Sequence, residues 1–588
     1  MEGKDGALRI SIQIKKPDLR ALAVDWSAPL LFALLTVLGA LQLLDVLDVV
    51  YYPMIHGATS TMQFDLGLSF VPPLLFLLLI WSCWVIWKRR FLVLPFPVVA
   101  ISLYPFTSLE AVVSIGSLLA VVGGLWADRK IGRYLAGVLA LLGSIEALAL
   151  LHWAVFLPIG LSSPFLWFAN LEMGLFYCLA YLAPFLSIPL MFLWVPKLIV
   201  HWGWGRKVKN ESLSWMVGNK ESWWSKFILF FSITLGVVSA VYPYLPSVNL
   251  RNRNMGVDFN DYVEQARLVE QDLSQVFKVF DGSRPFIHLV IYGFQTMFGL
   301  DVVSAVKYLP VILNPLLAVS IYFLARELFL DNWIASWASF FTVCGIQVTV
   351  GMFSFFLTNM LALSIVFLSL GFLFRAIRCR CLFSLIISSL IGFLIVFTHP
   401  WTFDQYFAII FLTAFFILYD DRKEDKGYDR FKVILFYLLS LALSELVKIT
   451  VFHGYGGLSA SSRAIGSLVQ VSRFWSSTIF SFKRIYCGLE SNVILLILSI
   501  VGILILRHAF TPKVCLITSL IVSSLLFLLN DAMIKSRLIY NIPIGLYTAY
   551  SFVWLNKQKK IDDFKLYLHL FIIFNMIVYL FRSLANII

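Results

Sequence analysis

Charge is scarce in this 588-residue chain: Asp, Glu, Lys and Arg together make up 13% of it, about half the share found in a soluble protein. Cysteine is sparse too. The seven Cys are scattered, mostly within apolar runs. Cys379 and Cys381 form only a C-x-C beside Arg378 and Arg380, which supports neither a disulfide framework nor a zinc site. No cleaved signal peptide is expected from the N-terminal residues, which are too polar and lead into an apolar run too long for one. What replaces these features is apolar surface. Hydrophobic residues reach 60% and the mean hydropathy is +0.87, more than a water-soluble fold can bury, so a globular soluble enzyme is excluded. The apolar runs continue from Leu30 to Ile588, which excludes a single-span anchor. The chain reads as an all-α polytopic integral membrane protein. Its 53 Phe, 23 Tyr and 18 Trp suit lipid-facing helices and interfacial belts. The net charge of +13 requires no nucleic acid, since cytoplasmic loops of membrane proteins are enriched in Lys and Arg.

A crossing helix needs about 20 apolar residues. Breaks at charged, Pro or Gly clusters then cut the chain into roughly 17 predicted spans. Arg9, Lys15, Lys16 and Arg20 put the N-terminus in the cytoplasm. About six spans over 1–200 lead to a basic cytoplasmic linker, 201–226, and about eleven follow over 227–588. Positive clusters then alternate with neutral turns. Arg326, Arg375 to Arg380, 420–432, Arg507 to Lys513 and 556–565 fall inside; 247–285, 351–358, 399–405, 448–492 and 530–541 fall outside, as does the C-terminus. The external loop 448–492 breaks the pattern with Lys448, Arg463, Arg473, Lys483 and Arg484 against Glu490 alone. It reads either as a solvated loop near anionic headgroups or as a basic rim gathering a phosphate-bearing lipid. Glu146 falls in mid-span, where an ionisable group is a functional candidate or a neutral hydrogen-bonding partner for a neighbouring helix; it receives no role. Gly454-Tyr455-Gly456-Gly457 lacks a following Lys-Ser/Thr, so it is no phosphate-binding loop.

The external segment after the seventh span holds Asp258, Asp261, Tyr262, Gln265 and Ala266. Asp258, Asp261 and Gln265 recur near helical spacing and form one polar face; alternatively Asp258 or Asn260 is simply an N-cap. Arg284-Pro285-Phe286 follows, with an amphipathic run to Phe298-Gly299, then Lys307-Tyr308-Leu309-Pro310 at the head of a span. This order resembles the polyprenyl-phosphate-sugar-dependent glycosyltransferases of the GT-C fold, above all protein O-mannosyltransferases and the aminoarabinose transferases that modify lipid A. The likeness is concentrated in 227–330. It implies a GT-C-like helical module whose external catalytic loop carries interfacial helices. It further implies a lipid-linked sugar donor, an acceptor that is a glycan, lipid or protein, and reaction on the external or lumenal face of a plasma or endoplasmic reticulum membrane. Asp258 is then the candidate base, with Asp261 beside it. Arg284, Lys307, His399, Lys535, Arg537 and Tyr262 are candidates for binding the lipid phosphate and substrate.

Two departures qualify the likeness. The loop at Gly351 to Asn359 contains no acid, so a divalent metal lacks a second carboxylate and no cofactor is predicted. There is no soluble domain after the spans and no Trp-Trp-Asp, which disfavours transfer to asparagine. For Lys535 and Arg537 headgroup snorkelling is the plain alternative, and His399-Pro400-Trp401 also reads as an interfacial break. At the level of the whole chain, a transporter or lipid flippase and a catalytically silent scaffold of the same fold stay open, although the unequal modules fit a two-halved transporter poorly.

Overall fold

The computed structural model describes residues 131–180, 223–423, 429–451, 492–506, 510–527 and 531–586, with isolated positions in 54–59, 186–195 and 477–489. The chain forms two compact units, one of 1–48, 67–144 and 560–571, the other of 49–66, 145–559 and 572–588. The contacts and sites described below lie in the second. Of the linker 201–226, only the last residues are described, as the start of a helix.

The architecture is helical, and nine helices among the described residues are long and apolar enough to cross a membrane. Most of the first module and the basic segment 452–475 lie outside the described residues, so the expected total of roughly 17 spans concerns more chain than is described. Helices α1 (Ile131–Leu151) and α2 (Leu166–Ala180) come first. Helix α3 (Trp223–Val241) crosses next. Two short helices follow, α4 (Phe259–Gln271) and α5 (Pro285–Phe298). Then α6 (Val302–Tyr308) runs into α7 (Pro310–Phe329), and α8 (Asn332–Val343) into α9 (Ile346–Ser354). The bundle continues through α10 (Leu357–Cys379), α11 (Leu382–Thr398), α12 (Pro400–Lys423) and α13 (Asp429–Val451). It closes with α14 (Val493–Ile505), α15 (Phe510–Phe527), α16 (Ala532–Tyr540), α17 (Ile544–Asn556) and α18 (Lys565–Asn586).

The core is the α8–α9–α10 hairpin. Every residue from 334 to 367 is buried, packed by α3, α7, α11 and α17. Small residues permit this closeness: a Cβ at Gly502 of α14 would fall on the carbonyl of Tyr547 in α17. Connections are short because aspartates cap the helices. Asp331 accepts from the Trp333 and Ile334 amides at 2.7 and 3.3 Å, and Asp531 does the same for Met533 and Ile534 at 2.8 and 3.1 Å.

Two clusters of described charge lie at opposite ends of the bundle. At one, Arg378 pairs with Glu327, Arg380 with Asp429 at 3.1 Å, and Arg430 with Asp421 at 2.7 Å. These are the clusters read from the sequence as cytoplasmic. Asp258, Arg284, His399 and Arg537 gather at the other. Two expectations need correction. Residues 531–541 are not an open turn: Asp531 starts helix α16, and Pro543 separates it from α17. Lys448 does not open a solvated loop either. It is fully buried in the last turn of α13.

Ser274, between α4 and α5, and Cys379, at the end of α10, are both exposed. In a background otherwise free of cysteine, Ser274→Cys and native Cys379 should react with an impermeant maleimide from opposite faces of sealed vesicles. Labelling of both from one face would overturn the two-ended arrangement.

Candidate active site

Helix α4 forms because Phe259, Tyr262, Val263, Ala266 and Val269 make one apolar face at helical spacing, and all five are buried. Asp258 occupies its N-cap position, yet its carboxylate makes no capping bond. The plain N-cap explanation of Asp258 therefore fails. The backbone holds the residue instead. Val257 donates its amide to the carbonyl of Phe353 at 3.0 Å, and Asp258 donates to Ser354 at 3.4 Å, which fastens the start of α4 to the α9–α10 turn. Gly256 makes the approach possible. Its φ of +107° suits glycine, and a Cβ there would run into the Phe355 ring.

Freed from capping, the Asp258 carboxylate meets Arg537 of α16, with Oδ2 to Nη2 at 3.4 Å; the two side chains are 18% and 12% exposed. The Arg537 guanidinium also lies 5.3 Å over the Phe356 ring. Arg284, just before α5, sits 5.1 Å over Phe280. Burial pushes the Asp258 carboxyl above the ordinary carboxylate range; the charges of Arg537 and then Arg284 oppose this, and Asp261 adds to it. Burial likewise lowers the proton affinity of Arg284, which nevertheless stays a cation.

His399 joins the group from the α11–α12 junction. Thr402 donates its amide to Nδ1 at 3.2 Å, and the Thr402 hydroxyl is 2.9 Å from the same nitrogen. Nδ1 is thus an acceptor, which assigns the proton of the neutral ring to Nε2. That Nε2 is buried without a partner, as are Nε of Arg284 and Nε of Arg537. The charges of Arg284, Arg537 and Lys448 all bear on His399. One acid and several unsatisfied nitrogen donors therefore share one small region, an arrangement suited to an anion beside a proton acceptor.

Of the remaining sequence candidates, Asp261 and Tyr262 border this group, Tyr262 as a partner of Arg284, and Lys307 and Lys535 have other partners. Asp261 is exposed and acts on Asp258 only through its charge. Tyr262 is buried, its hydroxyl 2.9 Å from that of Thr358. Lys307 faces the rings of Tyr244 and Tyr308 at 4.4 and 5.4 Å. Lys535 is buried against the hydroxyls of Ser477 and Thr478 at 2.8 and 3.0 Å. Among the described residues, no group of three or more His, Cys, Asp or Glu could hold a metal ion.

Two features escaped the sequence reading, and a third residue was read in a different setting. His288, one turn beyond Arg284, is buried between Tyr262 and Phe280 at ring distances of 6.2 and 5.5 Å. Burial and then Arg284 push its proton affinity down to about 3, so it is neutral, and neither ring nitrogen has a partner. Its position four residues after Arg284 was the available signal. Thr402, Gln405 and Asn541 form the second feature. The Asn541 amide donates to Thr402 and Gln405 at 3.0 and 2.9 Å, and the three form the polar end of an apolar pocket walled by residues such as Leu328, Val366, Phe367 and Phe374. The third is Lys448, which donates to the carbonyls of Ser283 and Val396 at 2.9 and 2.6 Å. Val396 lies in the last turn of α11, where carbonyls lack helical partners. Lys448 thus ties the residue before Arg284 to the helix that ends at His399.

No protein-family model matches the chain, and no curated protein sequence matches it.

Lys448→Met should leave two buried carbonyls unpaired and destabilise the folded protein by about 1–3 kcal/mol, read as a lowered unfolding midpoint in detergent. A midpoint equal to that of the unaltered protein would return Lys448 to the solvated role first read for it.

Proposed function

We propose that the chain is an integral-membrane glycosyltransferase that moves a sugar from a polyprenyl-phosphate donor to an acceptor hydroxyl at the external or lumenal end of the bundle. The observation that carries this reading is Asp258, a carboxylate whose one side-chain partner among the described residues is Arg537 and which is set among buried nitrogen atoms, Nε of Arg284, Nε of Arg537 and Nε2 of His399, that lack partners. A sugar on a lipid phosphate already has a good leaving group. Transfer then needs one base for the acceptor proton and fixed donors for the phosphate charge that develops. Asp258 supplies the base, and its raised proton affinity brings it nearer the working pH. The two guanidinium groups and His399 Nε2–H supply the donors. Arg537 serves both ends of the step, because Nη2 reaches Asp258 while Nε is unpartnered. The apolar pocket behind Thr402 and Asn541 offers hydrocarbon walls next to this polar cluster, which supports a lipid-borne substrate over a soluble one. The resemblance of 227–330 to the polyprenyl-phosphate-dependent transferases points the same way.

With a synthetic polyprenyl-phosphate hexose and protein in lipid nanodiscs, Asp258→Asn should abolish release of polyprenyl phosphate without lowering the unfolding midpoint. Arg284→Ala and Arg537→Ala should each weaken use of the donor by about 1.5–3 kcal/mol, the worth of a charge-assisted bond to a buried anion. Full turnover by the Asp258 variant would sink the assignment of the base.

The pH profile gives a separate test. Arg537 holds down the proton affinity of Asp258 and Asp261 raises it. Removing Arg537 as Arg537→Gln should make Asp258 take up its proton sooner on acidification, moving the acid limb of the rate profile to higher pH. Asp261→Asn should move the same limb to lower pH. Two variants shifting in the same direction would show that another group titrates.

A further inference from the structure

Away from the candidate active site, α1, α2 and α18 bring three ionisable side chains into the apolar interior. Glu146, Glu172 and Arg582 are 7%, 3% and 2% exposed. Arg582 pairs with Glu172 through Nη1 and Oε1 and lies 5.7 Å from the Tyr579 ring. Glu146 receives instead the Asn575 amide at 2.8 Å on Oε1. Asn575 is oriented in turn by Asn492, whose Nδ2 lies 3.3 Å from the Asn575 carbonyl oxygen. The Oε2 atoms of both glutamates are buried without a partner. The charges of Glu172 and Arg582 both act on Glu146. Among the described residues, His152, buried just past the end of α1 and six residues beyond Glu146, is the remaining titratable group nearby.

Two carboxylates face one guanidinium here. With both acids ionised the cluster carries a net negative charge in a region without solvent to stabilise it, which is strongly unfavourable. One proton removes the excess. Glu172 is bound directly to Arg582 and keeps its charge. Glu146, held by a neutral amide alone, is the one that accepts the proton, at the oxygen that has no other partner. We propose that Glu146 and Glu172 form an intramembrane proton-binding site that holds one proton at neutral pH against the single charge of Arg582. Loss of that proton leaves an uncompensated charge where the three helices meet, so the packing of α1 and α2 on α18 depends on proton occupancy.

Infrared spectroscopy of the full chain in nanodiscs reads this directly through the carbonyl stretch of a protonated carboxylic acid. The band should be present at neutral pH, shift on deuterium exchange, and vanish in Glu146→Gln. It should persist in Asp258→Asn, which separates it from the carboxyl of the candidate active site. Glu172→Gln should also abolish it, because Glu146 then becomes the counter-ion of Arg582. Arg582→Gln should about double it, since both acids must then be neutral. A role in packing alone predicts no such pattern. No band in the unaltered protein at neutral pH, or a band that survives Glu146→Gln and is lost in Asp258→Asn, would overturn the proposal.

Discussion

Two backbone hydrogen bonds, from Val257 to Phe353 and from Asp258 to Ser354, join the segment between α3 and α6 to the most deeply buried hairpin of the bundle. The rest of the candidate site depends on them. Through Gly256 they bring Phe355 against Phe259 and Tyr262, at ring distances of 5.2 and 6.1 Å, and they turn the Asp258 carboxylate away from its helix and toward α16. Phe355 itself has φ +56°, a backbone conformation that costs a non-glycine residue on the order of 1–3 kcal/mol. It persists because the ring is fully enclosed. The polar end of the molecule is thus a rigid continuation of the core, even though the sequence there looks like a loop.

That rigidity explains which parts of the fold were legible in advance. Positive clusters are set by the physics of membrane insertion, which acts locally along the chain, and Arg378, Arg380 and Arg430, drawn from two of them, lie at one end with Glu327, Asp429 and Asp421. The apolar stripe of α4 and the Pro–Gly boundaries of α5 are also local signals. Lys448 was misread for the same reason. It closes a long apolar run, and nothing nearby in sequence announces that its partners, Ser283 and Val396, lie 165 and 52 residues away. Arg582 meets Glu172 across 410 residues. Pairings of that kind arise from packing and leave no periodicity to read.

The candidate site divides along the same line. Asp258, Arg284 and Arg537 could be singled out only because the resemblance to the polyprenyl-phosphate-dependent transferases pointed to charged residues at one predicted face. The environment that sets their chemistry could not: the absence of a capping bond at Asp258, the acceptor state of His399 Nδ1, and the neutrality of His288 are properties of neighbours. The spacing of Tyr262 and Ala266 after Asp258 has, moreover, a packing explanation. Both residues lie on the buried face of α4, so their positions follow from the helix period whatever the site does.

The buried cations share one further property, their order along the chain. Lys448 bonds to Ser283 and Val396, Lys535 to Ser477 and Thr478, Arg537 to Asp258, and Arg582 to Glu172. In each pair the partner comes earlier. A polypeptide enters the bilayer from its N-terminus, and a Lys or Arg at the centre of a helix raises the cost of insertion by about 2.5–3.5 kcal/mol on translocon scales. With this ordering, each of these cations leaves the ribosome after the partners named here have been synthesised. Biogenesis therefore need not leave these cations waiting for the named partners to arrive with a later segment.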